Sequence, residues 1–89
     1  MDLHELKNTI ESGEGEKVEF KTSFTDAVIE TLVAFSNCKG GSVLIGVDDH
    51  STIKGIQTGK ETIAKWINEI KIKTSPSIVA DITLHALEE

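Results

Sequence analysis

One stretch limits the fold more than any other. From Phe24 to Asp49 the chain reads FTDAVIETLVAFSNCKGGSVLIGVDD. Phe24, Val28, Leu32 and Phe35 recur at helical spacing, and Ile29, Val33 and Ala34 widen the apolar stripe. So broad a face predicts a helix packed on more than one side. Ser23 with Asp26 reads as its capping box, Lys39 complements the helix dipole, and Gly40-Gly41 ends it. Val43, Leu44 and Ile45 then form a continuous apolar run, as in a central strand covered on both faces.

The flanking segments fit around that unit. Leu3, Leu6 and Ile10 predict a short amphipathic helix over Asp2–Glu11, punctuated by Ser12-Gly13. KVEFK alternates, so Lys17–Lys21 is expected as a strand with Val18 and Phe20 on its buried face. DDHS reads as a turn and TIKGI as the returning strand of a hairpin. Thr58 with Glu61 is a second capping box. Ile63, Trp66, Ile67 and Ile70 then repeat at helical spacing to Lys73, with Glu61–Lys65 and Glu69–Lys73 as i,i+4 pairs, and Ser75-Pro76 stops the helix. IVADITLHAL is expected as a last strand. The predicted order is helix-strand-helix-strand-strand-helix-strand: an α+β, two-layer sandwich of helices on a mixed β-sheet.

Length bounds the rest. With 89 residues the chain is read as a single domain over 1–89, and its end directly after the last strand suggests a fragment of a longer protein. No apolar run approaches the roughly 18 residues of a membrane span, and the acidic, amphipathic N-terminus is not a secretory signal. One cysteine, Cys38, allows no intrachain disulfide and favours the cytoplasm. At a helix C-terminus Cys38 is expected to be a packing residue rather than an activated thiol.

Charge narrows the function classes. The net charge is -6 and all nine basic residues are lysines, so the arginines favoured for phosphate and guanine contacts are absent. The lysines are unevenly placed: residues 50–75 hold five against two glutamates, between two acidic regions. GIQTGKE resembles a phosphate-binding loop, but it has three residues between its glycines instead of four, and Glu61 where Ser or Thr should reach magnesium. It reads as a turn into a helix. His4, His50 and His85 lie in different elements and form no metal pair.

The carboxylates carry more. Glu14, Glu19, Asp48 and Asp49 come from two segments that a small sheet brings together. Converging carboxylates repel unless a divalent cation joins them, and magnesium takes one or two carboxylates plus waters, leaving positions for phosphate oxygens. Lys21 lies on the Glu19 face. On spacing alone this is either a metal site or a solvated acidic face with an ordinary Asp-Asp turn.

GEGEKVEFK, AFSNCKGG, SVLIGVDD and IKGI together resemble the Schlafen AlbA-like domain family, a DNA-binding family formerly described as a divergent AAA ATPase domain. The resemblance covers roughly Leu6 to Leu84. It implies an α/β sandwich, usually N-terminal to a helicase-related or winged-helix region in bacterial transcriptional regulators. It also implies a nucleic-acid (DNA or RNA) partner, with Lys54, Lys60, Lys65, Lys71 and Lys73 as the contact surface. In the nuclease-active members the matching residues bind Mg or Mn and cut RNA; by position these are Glu14, Glu19 and Asp48, with Asp49 the alternative and Lys21 the motif lysine. A third reading is an assembly domain that forms a homodimer without activity of its own.

Overall fold

A computed structural model describes residues 1–87. Its elements are α1 (Leu3–Ser12), β1 (Val18–Lys21), α2 (Asp26–Ser36), β2 (Ser42–Ile45) and α3 (Thr62–Lys73). The α+β class follows directly.

Helix α1 is set by its ends. The Asp2 side chain accepts the Glu5 N–H at 2.8 Å, and Gly13 at φ 82 turns the chain out while its N–H meets the carbonyls of Thr9 and Ile10. Between those ends, Leu6 and Ile10 share one face and pack on the sheet; Ile10 is buried.

The two strands are parallel, with Val18 opposite Ser42, Glu19 opposite Val43, Phe20 opposite Leu44 and Lys21 opposite Ile45. Parallel neighbours need a crossover, and α2 supplies it. Phe20, Leu44, Val47 and Ile10 form one buried cluster, flanked by Leu6 and Val18. By the pleat, Glu19 and Lys21 lie on the opposite face from Phe20.

The outer edge of β1 is closed by the loop before it. Gly15 and Val18 exchange both backbone hydrogen bonds, at 3.0 and 3.3 Å, and the Phe20 N–H donates to Glu14 Oε2 at 2.9 Å. The inner edge meets β2 through Lys17 O, which accepts from Ser42, and Lys21 O, which accepts from Gly46. Among the described residues, the outward backbone groups of Val43 and Ile45 in β2 have no such partner.

Helices α2 and α3 border the same apolar groove. Val28 and Ile29 on α2 and Ile70 on α3 are buried, and the rings of Phe24 and Trp66 stack with centroids 4.8 Å apart and planes 8° from parallel. The Lys73 ammonium reaches Asp26 at 2.9 Å, tying the end of α3 to the start of α2. Val33 and Ala34 are exposed, so the packed face of α2 is narrower than its sequence predicts.

Several expectations are corrected. TIKGI forms one antiparallel bridge, Val47 with Ile53, and no strand. Gly46 at φ 98 and Gly55 at φ 71 break the extended backbone on either side, so the hairpin cannot lengthen. IVADITLHAL alternates in burial over Ile78–Thr83 but forms no ladder among the described residues, and it is not a strand. The sheet is thus a parallel pair, and β2 is an edge rather than a central strand. The helix caps also differ: Thr25, not Ser23, caps α2 by accepting the Ala27 N–H at 3.3 Å. Before α3, Thr58 caps nothing among the described residues: Glu61 is the N-cap and has no side-chain cap hydrogen bond, and the Thr62 hydroxyl accepts the Gly59 N–H at 2.7 Å. Cys38 is exposed, not a packing residue, because the helix ends at Ser36 and the chain turns outward before Gly40.

Candidate functional site

Glu14 and Glu19 are brought together by the closing of the β1 edge. Glu14 belongs to the loop that folds back on β1, and its carboxylate is anchored by the Phe20 N–H, one residue beyond Glu19. That backbone hydrogen bond is the main reason the Glu14 carboxyl sits below its ordinary pKa, with hydrogen bonding to Glu19 second. Glu19 moves the other way. Hydrogen bonding to Glu14 raises it most, followed by burial and by the Glu14 charge. As pH falls, Glu19 therefore takes up a proton before Glu14 does. Lys21 lies 3.7 Å from Glu19 on the same face and draws the pair back toward ionisation.

Asp48 has a different task. Its Oδ1 accepts the N–H groups of both His50 and Thr52, each at 2.9 Å, which closes the turn that the positive φ of Ser51 requires. The Thr52 bond is the largest cause of its lowered pKa. Its Oδ2 faces Lys54 at 3.9 Å. Asp49 is exposed and lies 3.7 Å from His50. Among the described residues, no group of three or more His, Cys, Asp or Glu side chains is arranged to hold a metal ion. The structure therefore assembles the Glu14–Glu19 half of the expected carboxylate set and leaves Asp48 engaged in its own turn.

The expected lysine surface is partly engaged as well. Lys54 faces Asp48, and Lys73 meets Asp26 and, at 3.9 Å, Glu69. Lys60, Lys65 and Lys71 are exposed, and none has an ion-pair partner among the described residues. The Glu61–Lys65 pair expected from spacing does not form; Glu61 is the N-cap, with non-helical backbone at φ -105 and ψ 2, and only its carbonyl meets Lys65, accepting the N–H at 2.9 Å.

Sequence reasoning placed Trp66 in the apolar repeat of α3. The structure leaves it half-buried, stacked on Phe24 and bordering a recess on α3 as well as a groove of about 670 Å³ lined by Ile45, Ile70, Ile78 and Ile82, among others. The signal available beforehand was a single tryptophan inside the only basic stretch. No helix among the described residues is long and apolar enough to cross a membrane.

Compared with known proteins, residues 14–89 match the family model described as Schlafen, AlbA_2. No curated protein and no solved structure matches the chain.

Proposed function

The chain belongs to the Schlafen AlbA_2 family, and from that premise we propose that it is a nucleic-acid-binding module, with DNA as its first partner, in a cytoplasmic transcriptional regulator. The observation that carries the reading beyond the family is the state of the lysines. Lys60, Lys65 and Lys71 stand exposed and unpaired among the described residues, in the one region where positive charge exceeds negative. A chain of net charge -6 repels a polyanion at long range. Binding therefore depends on this local patch and is strongest at low salt.

The test is a salt series of DNA-binding measurements. Three phosphate contacts give a slope of log K against log[salt] of about -2.7. A slope near zero, or no binding at low salt, overturns the reading. Lys65→Ala and Lys71→Ala should each reduce the slope by about one unit. The helicase-related C-terminal region that the family resemblance implies belongs to the same proposal.

A second reading, a metal-dependent nuclease, is favoured by one observation: Glu14 and Glu19 are held as a close pair beside Lys21. Two carboxylates held side by side offer a divalent cation one place. In this reading Glu14 and Glu19 hold Mg or Mn, and Asp48 joins them by releasing the His50 and Thr52 N–H groups. Manganese-dependent cleavage of RNA or DNA that is lost in Glu19→Gln supports it. Binding without cleavage, with or without manganese, sinks it.

A further inference from the structure

Trp66 borders two different environments. Phe24 stacks on its ring from the side of the apolar groove. Trp66 also lines a separate recess of about 240 Å³ on α3, together with Thr62, Lys65 and Glu69, and Phe24 takes no part in it. Residues 62, 65, 66 and 69 fall within about a third of a turn around the helix, so the recess is a property of one helix face. The near-parallel Phe24 stack fixes the plane of the indole, which makes Trp66 a preset surface rather than a ring that must be ordered on binding.

The charges around the recess are unequal. Lys65 is exposed and has no carboxylate within ion-pair range among the described residues. The acidic member, Glu69, already faces the Lys73 ammonium at 3.9 Å, and Lys73 is itself raised in pKa, chiefly by its hydrogen bond to Asp26. The recess thus brings together an aromatic residue, one cation without an ion-pair partner among the described residues, and one anion that already faces a lysine. That combination complements a planar ring carrying a negative charge nearby.

We propose that Trp66 and Lys65 form a stacking site for one unpaired nucleobase, with Lys65 meeting the adjacent phosphate, so that the module prefers single-stranded nucleic acid to duplex. The proposal rests on the nucleic-acid reading above and deepens it. A base paired inside a duplex shows only its edges and cannot lie on the indole; an unpaired one can, on either a DNA or an RNA backbone. Base–aromatic stacking is tolerant of sequence, which agrees with a surface that has no arginine for base-edge contacts.

Trp66 is the sole tryptophan and the chain has no tyrosine, so its own emission reports the contact. The experiment titrates the protein at low salt with end-labelled oligo(dT), oligo(U) and a duplex of equal length. It follows both the anisotropy of the label and the fluorescence of Trp66. The expected result is quenching that saturates together with the anisotropy for single strands, and weaker binding without quenching for the duplex. Trp66→Ala should lower single-strand affinity roughly 5- to 100-fold, and Trp66→Phe should recover most of it. Trp66→Phe also keeps a ring against Phe24, which separates loss of stacking from loss of the fold. Anisotropy that rises without quenching, or equal affinity of wild type and a folded Trp66→Ala, overturns the stacking site and leaves the nucleic-acid reading standing. Anisotropy that does not rise with any oligonucleotide overturns both.

Discussion

The Glu14 carboxylate accepts the backbone N–H of Phe20 at 2.9 Å, across six residues of chain. This bond joins the Gly15–Val18 exchange in closing the outer edge of β1. It gives Glu14 a structural duty independent of any metal, and it places Glu19 next to a carboxylate that is held in its charged form. The two glutamates are therefore unequal before any ligand arrives.

That inequality sets a pH dependence. Glu14, lowered from the ordinary value of 4.5, contributes stability that is present above 4.5 and is lost as pH falls through its folded-state value. Glu19, raised from the same value, contributes below 4.5, and that contribution is lost as pH rises through its folded-state value. Above that folded-state value an ionised Glu19 stands against Glu14. Glu19→Gln mimics the neutral form the fold prefers and should raise the melting temperature at pH 7 by about 1–4 °C. The gain should vanish near pH 4. Thermal melts at the two pH values check this, and a lower melting temperature at pH 7 refutes the unequal pairing of the two carboxyls.

Asp48→Ala removes the acceptor for two turn N–H groups and the partner of Lys54. The expected outcome is a melting temperature lower by about 2–6 °C, since the loss resembles that of a helix cap. Because Asp48 sits below its ordinary value of 3.8, its contribution is present above 3.8 and is lost as pH falls through the lowered value. The wild-type and variant melting curves should therefore converge in strong acid.

Gly41→Ala tests the turn between α2 and β2. A Cβ there would lie 2.7 Å from two ring carbons of Phe35 and 2.9 Å from the Lys17 carbonyl. The carbonyl is held by the Ser42 N–H at 2.8 Å and cannot withdraw without opening the sheet. A loss of about 1–3 kcal/mol is expected by chemical denaturation. Gly15→Ala, which meets nothing within 4 Å, serves as the control and should change stability far less.

Ile70→Ala removes one of the two most buried large side chains, at 1% exposure. Ile-to-Ala changes at such sites cost about 2–5 kcal/mol. A domain of this size has little to spare. The variant should be largely unfolded at 37 °C by circular dichroism, whereas Ile72→Ala, at a 71% exposed position, should be close to neutral.

What could be read in advance divides along the reach of the interactions. Helix α1 and the parallel-strand segments were legible because Leu6 and Ile10, or Val18 and Phe20, report a local period. The double glycine after α2 was legible because a chain leaving a helix needs a residue free to adopt φ 87, as Gly40 does. The extra strands were not legible. A strand exists only with a partner, and nothing inside IVADITLHAL says whether a neighbouring edge will accept it. Capping went astray for the opposite reason: Ser23, Thr25 and Thr58 all have suitable hydroxyls, and backbone geometry selects among them. At the candidate site, the motif pointed to the pairing of Glu14 with Glu19. Asp48 is committed to the Asp-Asp turn that spacing left open as the alternative to a metal site, and only the positive φ of Ser51 within it is not written in the sequence.

The unequal edges of the sheet have a directional consequence. With Glu14 and Gly15 occupying one side of β1, any strand that joins this sheet must add beside β2, where Val43 and Ile45 present their backbone groups outward among the described residues. The molecule is in that sense a one-way template: recruitment of a further strand has a single address, and the acidic loop before β1 is what shuts the other door.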